Sequence, residues 1–107
     1  MRRTLLLVLA TASLPAFAGP PARPAKVDVC AACHGDNGVA KAPIYPNLAG
    51  QYVTYIENAL HAYHDGTRKN PIMNAQAATL SDTDIKQLAA WFSSQAAKVY
   101  TPSSADK

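Results

Sequence analysis

Five consecutive residues, Cys30-Ala31-Ala32-Cys33-His34, carry the densest chemistry in the chain. Two thiols three residues apart fall on the same face of one helical turn, where each can add to a vinyl group of a single porphyrin. The adjacent histidine is then delivered under the iron, with Nε2 as proximal ligand. Its Nδ1 is left to donate to a carbonyl, which fixes the tautomer and raises the basicity of the ligand. This pentad is the attachment signature of c-type haem. Three other uses of the same residues compete with it. A thioredoxin-like redox pair needs a βαβ setting, and the helical pattern of the chain offers none. A structural zinc site needs about four ligands, and His61 and His64 are the only other histidines or cysteines. A plain disulfide suits an exported chain but leaves the helical core as thin as before.

A second residue can meet an iron from the opposite side. Met73 is the only methionine after Met1, and a thioether opposite a histidine gives a low-spin electron-transfer centre with a raised potential. It sits in Asn70-Pro71-Ile72-Met73-Asn74, a segment that reads as a loop with a flexible approach to the distal face. Methionine as core filler is the alternative. Bis-histidine ligation through His61 or His64 is another. On a helical wheel, however, His61 lies about 140° and His64 about 80° from the centre of the buried face, and solvent is the expected surrounding of both.

The elements that must position these residues are read from a short chain. Its 107 residues, 49% hydrophobic and 16% charged, describe one small domain. Two Phe, one Trp and five Tyr leave large core-formers scarce, and small chains short of core rely on disulfides, metals or cofactors. Residues 1–18 read as a cleaved signal peptide: Met1-Arg2-Arg3 is basic, Thr4 to Ala12 apolar, and Ala16-Phe17-Ala18 a small-x-small cleavage site. The uncharged stretch from Thr4 reaches Pro15 after eleven residues, well short of the ~20 that span hydrocarbon. Cleavage leaves 89 residues, and the formal charge falls from +3 to +1. No basic run and no phosphate-cradling glycine motif remains, so no nucleic acid partner is expected. Such a segment marks the chain for export.

Residues 19–24, with three prolines, form a flexible lead-in. A first helix is predicted over 25–32, with Val27, Cys30 and Ala31 on one face and Gly35 as its stop. The Gly-, Pro- and Asn-rich stretch 35–50 reads as a loop that must cover something to stay ordered. A second helix is predicted over 52–65, burying Val53, Ile56, Leu60 and Tyr63, joined by Tyr52 and Ala59. Residues 67–78 read as another loop. The last helix begins at Ser81, which forms a capping box with Asp84 and buries Ile85, Leu88, Ala89 and Phe92, with Trp91 at the edge. The domain extends over 25–99, and 100–107 is a polar tail expected to be disordered.

Taken together, these residues resemble the class I c-type cytochromes, and above all the small bacterial periplasmic members related to one domain of the two-domain dihaem carriers. Beyond the pentad, Tyr45-Pro46-Asn47-Leu48-Ala49-Gly50-Gln51 is similar to the proline-containing loop of the family's proximal side. The Met73 segment and the helix from Leu80-Ser81-Asp82 to Trp91-Phe92-Ser93-Ser94-Gln95 match as well. The resemblance implies an all-α cytochrome c fold, three to four helices wrapped around one haem c bound covalently through Cys30 and Cys33. It implies His34 and Met73 as iron ligands and the Pro46 carbonyl as acceptor for His34 Nδ1. The first and last helices would cross near the haem, bringing Val27 and Ala31 close to Leu88 and Phe92. One departure stands out: the dihaem relatives carry a second CxxCH domain, and this chain has one.

The function implied is one-electron transfer in the periplasm by a carrier that is not an enzyme, because a closed coordination sphere disfavours substrate chemistry at the iron. The alternative is a haem electron-inlet subunit of a periplasmic oxidoreductase complex. A haem enzyme or gas sensor would need an open iron site. Expected partners are redox proteins, either respiratory complexes or a periplasmic oxidoreductase, met in small transient contacts. The membrane is approached only through such complexes, and the carrier is a monomer or homodimer. Val39-Ala40 with Pro43-Ile44 is a candidate rim for the contact, or simply a cover for the haem.

Overall fold

The computed structural model describes residues 12–16 and 18–98. Most of the expected signal peptide, and the whole of the expected tail, lie outside the described residues. Four helices follow one another: α1 (Val27–His34), α2 (Val53–His64), α3 (Pro71–Ala77) and α4 (Asp82–Ser93). No strand occurs among the described residues, in keeping with the all-α expectation.

Helix α1 starts and ends two residues later than the predicted 25–32. Its beginning is an uncapped turn, in which Val27 N donates to Pro24 O at 3.1 Å and Asp28 N to Ala25 O at 3.2 Å. Lys26 stands at the N-cap without a side-chain capping bond. At its other end the helix runs through the whole CxxCH pentad. Gly35, at φ +79°, ends it by donating its N–H to Ala31 O. A Cβ there would sit 1.9 Å from Val39 O, so the turn after His34 admits only glycine.

Helix α2 conforms closely to its predicted span but buries less of its apolar face. Ile56 is the only fully buried residue of this helix, while Leu60 and Tyr63 are half-buried. Tyr52 is 80% exposed and Val53 38%. Tyr52 is the extended N-cap residue rather than a helical one, so the 100° spacing does not apply to its side chain.

The predicted 67–78 loop contains helix α3. Asn70 is extended, and its side chain accepts from Met73 N, while Pro71 occupies the first turn. A proline at that point needs no N–H partner and arrives with φ already set for a helix. Helix α4 has the expected capping box: Asp84 N donates to Ser81 Oγ at 3.1 Å and Ser81 N to Asp84 Oδ2 at 2.8 Å.

The core joins Val27 and Ala31 of α1 to Ile56 of α2 and to Leu88, Ala89 and Phe92 of α4, the meeting of first and last helices that the resemblance implied. Four of the nine buried apolar residues among those described are alanines, so bulk comes from few side chains and polar ties take a larger share. Lys26 Nζ lies 2.6 Å from Asp84 Oδ2 and links the starts of α1 and α4.

Two outcomes are expected from these ties. Replacing Ser81 by Ala should lower the stability of the purified protein by about 1 kcal/mol in denaturant titration, the usual cost of losing an N-cap. Asp84 is held down to about 2, chiefly by Lys26 and then by the Ser81 backbone and side chain. A carboxylate depressed on folding stabilises the fold above its ordinary value near ~4 and loses that contribution as pH falls through the folded value. Thermal melts should therefore drop between about pH 4 and pH 2, and Asp84→Asn should flatten that drop while lowering stability at neutral pH.

Candidate functional site

Cys30 and Cys33 stand one turn apart on α1 as free, half-buried thiols. Cys30 packs against the core cluster, and burial pushes its thiol above the ordinary value. Cys33 lies beside Tyr45, whose hydroxyl it pushes up, and its carbonyl accepts from Lys41 N at 3.1 Å. Helix and following loop are thus joined at the second cysteine.

His34 is 7% exposed, and its Nδ1 lies 2.9 Å from Pro46 O. A carbonyl only accepts, so Nδ1 carries the hydrogen and donates it, and Nε2 keeps its lone pair for a ligand. The Tyr45 ring sits 6.3 Å from the imidazole at a 59° tilt. Pro46 is presented by a loop that is closed on itself. Leu48 N and Ala49 N both donate to Gly38 O, at 2.7 and 3.0 Å, and Ala40 N donates to Asn47 Oδ1 at 2.8 Å. The loop is also tied outward, with Trp91 Nε1 donating to Asp36 O at 3.2 Å and Arg23 bridging Asp28 and Asp36.

Met73 is half-buried on the first turn of α3. With Val29, Cys30, Leu60, Ala77 and Leu80 it lines a mostly apolar cavity of about 160 Å³. The structure therefore brings Met73 and Cys30 to one space and His34 to Pro46; His34 does not line the Met73 cavity. His61 and His64 lie at the end of α2, the first half-buried with Nδ1 3.9 Å from Asp82 Oδ1 and the second exposed. Ile44 is 79% exposed beside a shallow depression of about 360 Å³ lined by Val39, Ala40, Pro43 and Tyr45.

Sequence reasoning missed four polar residues that frame this arrangement: Arg23, Asn70, Asn74 and the indole N–H of Trp91. Only Asn70 left a legible signal, since Asn followed by Pro is an N-cap followed by a favoured first helical residue.

The donor set fits a covalently held haem. Two thiols share a helix face, one imidazole has Nδ1 occupied and Nε2 available, and the methionine lines a mostly apolar space that Cys30 also lines. No cluster of three His, Cys, Asp or Glu occurs among the described residues, which leaves a zinc site without enough ligands.

Comparison with known proteins agrees. Residues 22–92 match the family described as cytochrome c oxidase, cbb3-type, subunit III. Cytochrome c-554(548) of Halomonas halodenitrificans is 51% identical over 73 residues, 65% of this chain and 88% of that protein. Cytochrome c4 of Pseudomonas aeruginosa is 42% identical over 86% of this chain and 46% of its own length. The thiosulfate dehydrogenase electron acceptor of Thiomonas intermedia is 38% identical over 80% of this chain and 42% of its own. Among solved structures, cytochrome c4 of Acidithiobacillus ferrooxidans superposes with a TM-score of 0.59 at 42% identity, over 61% of this chain and 37% of that one. The chain thus spans half or less of the cytochromes c4 that it resembles. It belongs to the c-type cytochromes, electron carriers with covalently bound haem c, and Cys30 and Cys33 stand at the spacing that this attachment uses.

Proposed function

We propose that the chain is a periplasmic one-electron carrier whose haem is fastened through Cys30 and Cys33 and ligated by His34 and Met73. The observation that carries this is the state of His34: a buried imidazole whose Nδ1–H is committed to Pro46 O and whose Nε2 is thereby fixed as the basic nitrogen. Met73 supports it from the α3 side, because its cavity is shared with Cys30. The haem, when bound, supplies one-electron cycling between ferrous and ferric iron. The protein supplies position: α1 sets both thiols, the 35–50 loop orients the imidazole, and α3 brings the thioether to a mostly apolar cavity.

Export by residues 1–18 accounts for the periplasmic assignment, and no helix among the described residues is long and apolar enough to cross a membrane. The compact domain is assigned to 25–99. Partners are other redox proteins, met at the exposed Ile44 and the neighbouring Val39, Ala40 and Pro43, with the membrane approached only through partner complexes. A second use, as the haem subunit through which an oxidoreductase complex exchanges electrons, is favoured by the relative named as an electron acceptor of thiosulfate dehydrogenase. Size-exclusion chromatography of the native protein separates the two. A free carrier elutes as monomer or homodimer, whereas a subunit co-elutes with an unrelated chain.

In acid acetone the haem should stay with the protein, and its release would refute thioether attachment. Met73→Ala should abolish the methionine-to-iron absorption band of the oxidised protein and allow carbon monoxide to bind the reduced one; an unchanged spectrum would remove Met73 as a ligand. Periplasmic fractions should yield a protein that begins at Gly19.

A further inference from the structure

Met73 is carried by a helix of seven residues, shorter than any length at which a helix holds its own shape in water. Ala77 is its only fully buried residue and Met73 is half-buried, so little of α3 is held by apolar packing. The rest of its position is set by two asparagines. Asn74 Nδ2 donates to Tyr63 O at 2.8 Å and to Arg68 O at 2.9 Å, and Asn74 Oδ1 accepts from Asn70 N at 2.8 Å. Both donors and an acceptor of one amide are thereby used. Tyr63 O belongs to the last turn of α2, where carbonyls lack partners within the helix. One half-buried side chain therefore joins the end of α2, the 65–70 connection and the start of α3. Asn70 Oδ1 completes the set by accepting from Met73 N at 3.0 Å.

Neither asparagine lines the cavity that Met73 enters. Their effect on the sulfur passes through the backbone. We propose that Asn74, assisted by Asn70, is a positioning residue that locks the backbone of Met73 and thereby keeps the sixth coordination position closed. The proposal rests on the ligation of iron by Met73 proposed above. Asparagine is specific here, because an aspartate in its place would keep the acceptor but turn a second oxygen toward two carbonyls.

The test is binding of imidazole to the oxidised holoprotein, which requires Met73 to move away. Apparent affinity for a competing ligand rises in proportion to the open population. Losing the Asn74 bonds should therefore raise imidazole affinity by about tenfold or more in Asn74→Ala and Asn74→Asp, the scale of one or two net hydrogen bonds. The methionine-to-iron band should also be lost at lower pH than in the wild type. Asn70→Asp, which keeps the acceptor for Met73 N, should stay near wild type, and Asn70→Ala should shift in the same direction as Asn74→Ala by a smaller amount. In a Met73→Ala background, Asn74→Ala should add nothing, because the element it positions is gone.

Wild-type affinity in Asn74→Ala, or an equal increase when Met73 is absent, overturns the positioning role while leaving the ligation intact. If Met73→Ala alone changes neither the band nor imidazole affinity, the ligation fails and the proposal with it. Should Asn74→Ala not accumulate as holoprotein, wild-type affinity in Asn70→Ala overturns the proposal equally.

Discussion

A buried imidazole must find partners for its polar atoms, and for His34 that partner is the carbonyl of Pro46, twelve residues further along the chain. Everything between the two is shaped by the need to come back. Gly35 turns the chain immediately after the histidine, where any side chain would collide with Val39 O. Gly38 lets the returning strand of loop lie close, because a Cβ there would come within 2.6 Å of Ala49 N; its carbonyl takes both Leu48 N and Ala49 N. Gly50 N then donates to Phe92 O at 3.1 Å and fastens the loop to α4. A segment without regular structure has a fixed course for this reason, and the same bonds decide which nitrogen of His34 is free.

The thin core makes such ties more important than they would be in a larger domain. Phe92, Ile85, Leu88 and Val27 are the largest fully buried side chains, and alanines fill much of the remainder. Small side chains let α1 and α4 meet through Val27, Ala31, Leu88 and Ala89, but they bury little area and contribute in proportion. Charged and amide contacts add direction. Lys26 to Asp84 sets the start of α1 against the start of α4, and Trp91 to Asp36 O sets the end of α4 against the loop that follows the pentad.

How much of this was legible depended on how local the signal was. The capping box of α4 lies within four residues and its buried stripe within two turns, and both were read correctly. The CxxCH pentad is contiguous, so its chemistry was visible without any fold. Helix α3 was missed because seven residues show no period, and because Asn-Pro marks a turn as readily as a helix start. The later start of α1 came from a first turn with no capping side chain to announce it. The carbonyl of Pro46 was named only by resemblance, since backbone acceptors look alike in every residue. Asn74 was invisible for the same reason: its partners are the carbonyls of Tyr63 and Arg68, and a sequence does not say where carbonyls converge.

The two proposed iron ligands are therefore held by the same chemistry, side-chain N–H groups donating to backbone carbonyls, but with unequal support. His34 belongs to a helix anchored in the core by Val27 and Ala31, and its loop is tied to α4. Met73 belongs to a helix with one buried alanine and a polar fastening to α2. Local opening follows the least-buried cooperative unit, so opening is expected on the methionine side before the histidine side. Electron transfer with both ligands in place requires little rearrangement. On this asymmetry in burial, ligand exchange is expected at α3, away from the thiols, the imidazole and the cluster that α1 shares with α4.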